Sequence, residues 1–219
     1  MKVGIVCYGS GNVMSLSNAF NYLGTNVDLV DDYKELAAYE KLILPGVGAY
    51  EGVLKKFRSK GFETPLSEAV QRGVSLLGIC VGMQILFDYG EEFGRTEGLG
   101  LLKGHVAKLQ HSMVDDVEFK IPHVGWDGVT IPEAQSKNCW MEGLFKGIDE
   151  GTEFYFVHSY AAQVLDQKDV VAEAIYGEQI LTAAVQRDRI LGTQFHPEKS
   201  GEAGLSWLEN FLYYYVSTD

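Results

Sequence analysis

Short apolar runs of strand length, each ending in turn residues, recur along the first 80 positions: KVGIVC (2–7), NVDLV (26–30), KLILP (41–45) and VSLLGI (74–79). They are short, mostly apolar and carry β-branched residues, which predicts strands buried in a parallel sheet. Helical spacings lie between them. YGSGN turns the chain into a helix from about Asn12 to Leu23, stopped by Gly24, and further helices are predicted over 50–59, over 63–72 and in VGMQILFDYG (81–90). Strands alternating with helices predict a sheet covered on both faces.

After about residue 98 the pattern changes to strand-like pieces: GHVAKL, VEFKI, DGVTI, FYFVHSY, VVAEAIY, ILTAAV and ILGTQF. Hairpins and mixed pairing are expected to extend the sheet here. In GLSWLENFLYYYVS, Leu205, Leu208, Phe211 and Leu212 recur at helical spacing, so a last helix is predicted to pack back on the sheet. With no linker and no internal repeat, the expectation is one α/β domain over 1–219, a mostly parallel, mixed central sheet flanked by helices.

Composition sharpens this in two ways. Thirty acidic against eighteen basic residues give a formal charge of −12, which disfavours nucleic acid or an anionic membrane as partner. Cys7, Cys80 and Cys139 are odd in number, far apart and in no metal-ligand spacing, so neither a disulfide framework nor a metal site is expected, and a reducing, cytoplasmic setting fits best. The N-terminus carries no leader pattern, and no segment reaches the roughly 18 apolar residues of a membrane span.

The candidate chemistry starts at GICVGMQ, where Cys80 stands between Gly78 and Gly82 at a strand-to-helix joint. A sharp turn there thrusts a nucleophile out at the carboxyl end of the strand, and flanking glycines let the backbone close. At a helix start, orphan N–H groups favour a thiolate, and the Val81 N–H can serve a developing oxyanion. QFHPEKS supplies His196 as a base and Glu198 to orient it, the minimal set for thioester chemistry. LILPGVGAY places Gly46 and Gly48 at a strand end, where amides around Val47 and Gly48 can turn toward a neighbouring oxyanion; its spacing fails as a phosphate loop. Read singly, Cys80 can be a buried small hydrophobe, His196 a turn histidine and PGVG an ordinary βα turn.

In that order and at those separations, PGVGAY, GICVGMQ and QFHPEKS resemble the class I, triad-type glutamine amidotransferases, which have a flavodoxin-like fold. YGSGN, EGLGLL (97–102), IPHVGWD (121–127), FYFVHSY (154–160) and GLSWLENF (204–211) are similar to the glutaminase subunits of imidazole glycerol phosphate synthase, over essentially the whole chain. The resemblance implies that Cys80 attacks the side-chain amide of L-glutamine, that His196 shuttles the proton, that Glu198 holds His196, and that amides of Val81, Val47 and Gly48 form the oxyanion hole. It implies glutamine contacts from Gln84, Glu92, Ser159 and Tyr160, with Glu92 toward the α-amino group, and no metal or organic cofactor. It further implies ammonia transfer to a separate barrel-shaped synthase/cyclase subunit as a heterodimer; the chain's end leaves no room for that domain. Asn12, His123 and Trp126 would meet this partner, Tyr155 would line the ammonia exit, and the PGVG strand would keep an amide turned away until the acceptor binds.

Two positions depart from the family pattern: Asp127 where GWN is usual, and Lys103 where proline is common. A carboxylate at a docking face changes the charge the partner must meet. The alternatives are a paralogous glutaminase supplying ammonia for a bacterial surface sugar, a freestanding cysteine hydrolase, and a non-catalytic binding subunit.

Overall fold

The computed structural model describes residues 1–115 and 117–213; residues 214–219, expected to prolong the last helix, and the side chain of Cys139, expected to be a buried hydrophobe, lie outside the described part. The chain runs β1 (Val3–Val6), α1 (Val13–Tyr22), β2 (Asp28–Val30), β3 (Lys41–Gly46), α2 (Tyr50–Ser59), α3 (Glu63–Gln71), β4 (Ser75–Cys80) and α4 (Val81–Gln84). There follow β5 (Tyr89–Gly90), β6 (Thr96–Glu97), β7 (Gly104–Lys108), β8 (Ser112–Val114), β9 (Val117–Phe119), β10 (His123–Thr130) and α5 (Lys137–Glu142). The last elements are β11 (Glu153–His158), β12 (Tyr160–Val164), β13 (Val170–Tyr176), β14 (Gln179–Arg187), β15 (Ile190–Thr193) and α6 (Gly201–Tyr213).

Nine strands form the central sheet in the order β11-β10-β13-β14-β15-β4-β3-β1-β2. The pairings from β2 through β15 are parallel, and those from β15 to β11 are antiparallel. The sheet is mixed, as expected, with both kinds in equal number. Strands β1, β3, β4 and β15 are buried along their whole length, as the uninterrupted apolar runs predict for strands covered on both faces. A smaller sheet, β12-β7-β5-β6, and the hairpin β8-β9 stand beside it.

Aromatic side chains fill two parts of the core. Tyr8 meets Phe57 edge-on and Phe57 stacks on Phe62, while Trp207 of α6 packs against Phe195 and Phe145. Burying side chains of this size contributes more to stability than any of the surface ion pairs.

The helix expected over 81–90 stops after Gln84. The carbonyls of Ile85, Leu86, Phe87 and Asp88 accept from the amides of Leu99, of Leu101 and Leu102, of Gly100 and of Gly98, which fold back over them. An apolar run buried on every side has no polar face to mark where its helix ends. Residues 137–142, with no helical signal in the sequence reading, form α5.

Candidate active site

Three loops meet because three parallel strands are neighbours. In the order β15-β4-β3, Thr193 pairs with Ile79 and Gly46 with Cys80, so the carboxyl ends carry Gln194 to His196, Cys80 and Val47-Gly48 side by side. Open parallel sheets place ligands at this edge. Cys80 ends β4 and opens α4 with φ +54°, ψ −114°, a region that side-chain-bearing residues avoid at a cost of about 1–3 kcal/mol. The turn is possible because its glycines touch backbone. A Cβ on Gly82 would lie 1.9 Å from Leu44 O, and one on Gly46 2.4 Å from Gly82 N.

Cys80 and His196 are buried and line one cavity of about 280 Å³. Val47, Gly48, Val81, Gln84, Glu92, Ser159 and Tyr160 line it too, so every glutamine contact and oxyanion residue expected from the sequence borders the same space. The volume lies just below the roughly 300–1,000 Å³ typical of ligand pockets, which suits a small molecule.

His196 Nδ1 donates to Glu198 Oε1 at 2.9 Å, since a carboxylate only accepts. That fixes Nε2 as the atom left for other partners; it is buried and has no protein hydrogen-bond partner. Burial pulls the imidazole pKa down, but Cys80 and Glu198 beside it outweigh burial and push it up to about 9. The site therefore keeps a charged imidazole at neutral pH, facing the sulfur.

Several expected residues have different immediate partners from those foreseen. The Val47 N–H, expected at the oxyanion hole, is spent on Ser10 Oγ at 3.2 Å, and the Ser10 hydroxyl donates to Val47 O at 2.7 Å. Glu92 Oε2 accepts from the Tyr50 N–H at 2.7 Å, and its side chain borders the cavity. Gln84 Nε2 donates to Tyr160 O and to Gln194 Oε1, so only its oxygen remains for a ligand. Asn12 caps α1 by accepting from Ser15 N. Trp126 is half exposed and meets Tyr155 edge-on. His123, expected at the docking face, turns inward instead: it is 1% exposed, bonded to Asp127 through Nε2 and 3.0 Å from His158 Nε2 through Nδ1. Along β10 the alternation that exposes Val124 and Trp126 buries position 123.

Sequence reasoning missed Ser10, His158 and Gln194. Ser10 lay in YGSGN, read as a helix opening and a family motif, from which Asn12 and not Ser10 was singled out. His158 lines the cavity, and burial, helped by the neighbouring rings of His123 and His196, holds it down at about 3. Gln194 is fully buried with its Nε2 3.6 Å from Cys80 Sγ; its place directly before FHPE was the one available signal. Among the described residues no group of three or more His, Cys, Asp or Glu could hold a metal ion, and no helix is long and apolar enough to cross a membrane.

The chain is 42% identical over 212 residues to the imidazole glycerol phosphate synthase subunit HisH of Sulfurimonas denitrificans, covering 97% of this chain and 98% of that one. It is 42% identical over 210 residues to the HisH subunit of Dehalococcoides mccartyi, with 96% of each covered. A crystal structure of a glutamine amidotransferase superposes with TM-score 0.70 at 21% identity, over 96% of this chain and 99% of that one. PurLQS from Thermotoga maritima superposes with TM-score 0.68 at 20% identity over 97% of both, a likeness of fold. Residues 5–214 match the family glutamine amidotransferase class-I, and the chain belongs to that family.

Proposed function

We infer that this chain is the glutaminase subunit of an imidazole glycerol phosphate synthase, hydrolysing L-glutamine and passing ammonia to a separate synthase/cyclase subunit in histidine biosynthesis. One observation carries it: a strained cysteine and a carboxylate-held histidine share a small cavity at the carboxyl edge of the sheet. The relatives named as HisH subunits, matched over nearly their whole length, support the pathway and the partner. The free thiols of Cys7 and Cys80 suit the cytoplasm as its setting.

In this reading the Cys80 thiolate adds to the side-chain amide carbon of glutamine. The Val81 N–H, at the start of α4, stabilises the oxyanion. His196 Nε2–H gives its proton to the departing ammonia as the C–N bond breaks, which leaves a γ-glutamyl thioester. A water then loses its proton to His196 and adds to the thioester carbonyl, the C–S bond breaks, and glutamate leaves with Cys80 restored. Glu92, in the cavity wall, pairs with the α-amino group, while Ser159, Tyr160 and the Gln84 oxygen hold the rest of the substrate.

The second oxyanion donor is the Val47 or Gly48 amide. With the Val47 N–H spent on Ser10, the free subunit is held slow, and docking on the face around Trp126 and Tyr155 releases it. Tyr155 lines the ammonia exit. The test is glutamate release by the chain alone, with the barrel subunit from the same genome, and with that subunit plus its acceptor substrate. The rate is expected to rise at each step, and Cys80→Ala to abolish glutamine-dependent product while ammonium salt still sustains it. No glutamate release in the full mixture would end this reading.

A further inference from the structure

Gln194 reaches the nucleophile because β15 and β4 are parallel neighbours, and its two amide ends can be assigned without ambiguity. Tyr160 O is a backbone carbonyl, an acceptor only. The end of the Gln84 amide that lies 2.8 Å from it must donate and is the nitrogen. That same nitrogen lies 2.9 Å from one end of Gln194, which must accept and is the oxygen. The Gln194 nitrogen is left facing Cys80 Sγ at 3.6 Å. Turning either amide over would set two like atoms against each other among residues buried from water.

We infer that Gln194 is a further catalytic residue, whose Nε2–H donates to the Cys80 sulfur, and that Gln84 is the positioning residue that fixes this polarity. The inference rests on the reading of Cys80 as the nucleophile. A neutral thiol is a poor acceptor and a thiolate a strong one, so a fixed donor favours the charged form. The sulfur then has two helpers on the segment that follows β15, the Gln194 amide and the imidazole of His196. The donor acts twice in each turnover. It stabilises the attacking thiolate, and when the C–S bond of the thioester breaks it stabilises the electron pair returning to sulfur. The chain of amides also joins the sulfur to the Tyr160 backbone in the wall of the glutamine cavity, so a substrate held there meets an already oriented nucleophile.

The experiment follows alkylation of the full-length chain by iodoacetamide from about pH 5 to 9, without glutamine, read at the Cys80 peptide by mass spectrometry so that Cys7 and Cys139 do not contribute. Gln194→Met keeps the length and loses the donor; the pH of half-maximal alkylation is expected to rise by roughly 0.5–1 unit, as loss of one net hydrogen bond requires. Gln194→Glu sets a carboxylate in the donor's place and is expected to raise it further. Gln84→Met never touches the sulfur, yet frees the Gln194 amide to turn, and is expected to shift the profile the same way by less. Unchanged profiles in Gln194→Met and Gln84→Met overturn the inference, as does a downward shift in Gln194→Glu. Should Gln194→Met fail to fold by circular dichroism, Gln84→Met decides. A shifted profile in a chain that releases no glutamate upholds this inference and sinks the glutaminase reading; normal hydrolysis with unshifted profiles does the reverse.

Discussion

Glu198→Gln keeps the shape of the side chain and removes the charge that holds the His196 proton. The Glu198 side chain is 1% exposed, and its Oε1 is the partner of His196 Nδ1. Burial opposes the imidazolium, and the ring stands at about 9 because Cys80 and Glu198 together outweigh it. At pH 7.5 a group of pKa about 9 is about 97% protonated, whereas one at the ordinary value of about 6.5 is about 9% protonated. Loss of the carboxylate leaves burial opposed by the sulfur alone, and a return to the ordinary value removes about nine-tenths of the proton that departing ammonia needs. The amide can also present its NH2 to Nδ1 and select the wrong tautomer; general acid–base catalysis as a whole contributes about 10²–10⁴-fold. Glutamate release at pH 7.5 is therefore expected to fall by at least about tenfold. The sign for pH follows from the direction of the shift: the His196 proton is lost as pH rises through its folded value, so lowering that value moves the alkaline limb of kcat from near 9 toward 7. The assay is coupled glutamate detection from about pH 6 to 10, with partner and acceptor present. Thermal unfolding runs in parallel, because Glu198 Oε2 is buried without a hydrogen-bond partner and an amide donor there costs about 1–3 kcal/mol. A variant with parental kcat and an alkaline limb still near 9 would refute this account of the site.

Three other perturbations probe separate parts of the structure. Ser10→Ala removes the acceptor of the Val47 N–H; basal glutaminase activity of the free chain should rise and activation by the partner shrink, and an unchanged basal rate would discard the restraint. Gly82→Ala drives a Cβ to 1.9 Å from Leu44 O; overpacking of about 3 kcal/mol or more predicts a Tm lower by roughly 6–12 °C, and an unshifted calorimetric Tm would contradict the close approach of β3 and α4. Trp126→Ala should weaken partner binding by about 30-fold in titration calorimetry, the effect of losing one aromatic anchor, with the Tm of the free chain unaltered; equal affinity would move the docking face elsewhere.

How much of this was legible in the sequence depends on how local each signal is. Strands β1, β3 and β4 were readable because burial on both faces leaves an uninterrupted apolar run, and α2 and α3 because each keeps an exposed face. The end of α4 was not, since the carbonyls of the residues that follow it, 85–88, are claimed by residues 98–102, a contact no local pattern encodes. The same division holds in the site. Cys80, His196 and Glu198 sit in short motifs whose glycines and proline mark special backbone. Gln194 and Ser10 act through partners 114 and 37 positions away, which become neighbours only once strand order is set. His123 was misplaced for a third reason: the motif pointed to a face, while the strand's alternation decided which of its residues would lie on it.

The two histidines at the cavity show why residue type alone could not assign the proton carrier. His196 and His158 line the same space and both are buried, so desolvation pushes both toward neutrality. What separates them is company. His196 has a sulfur and a carboxylate and rises to about 9; His158 has two further imidazoles, His123 and His196, and falls to about 3. The Tyr160 carbonyl 3.0 Å from His158 Nδ1 accepts a hydrogen bond from the N–H of that neutral ring and fixes its tautomer. A neutral His158 in turn spares His196 a like charge that would drive off its proton, so the second ring helps keep the first one charged. Asp127, bonded to His123, closes the outer end of this chain. The site thus separates one proton donor from one neutral wall by pairing each ring differently, an arrangement set by the register of β10 against β11, where His123 faces His158.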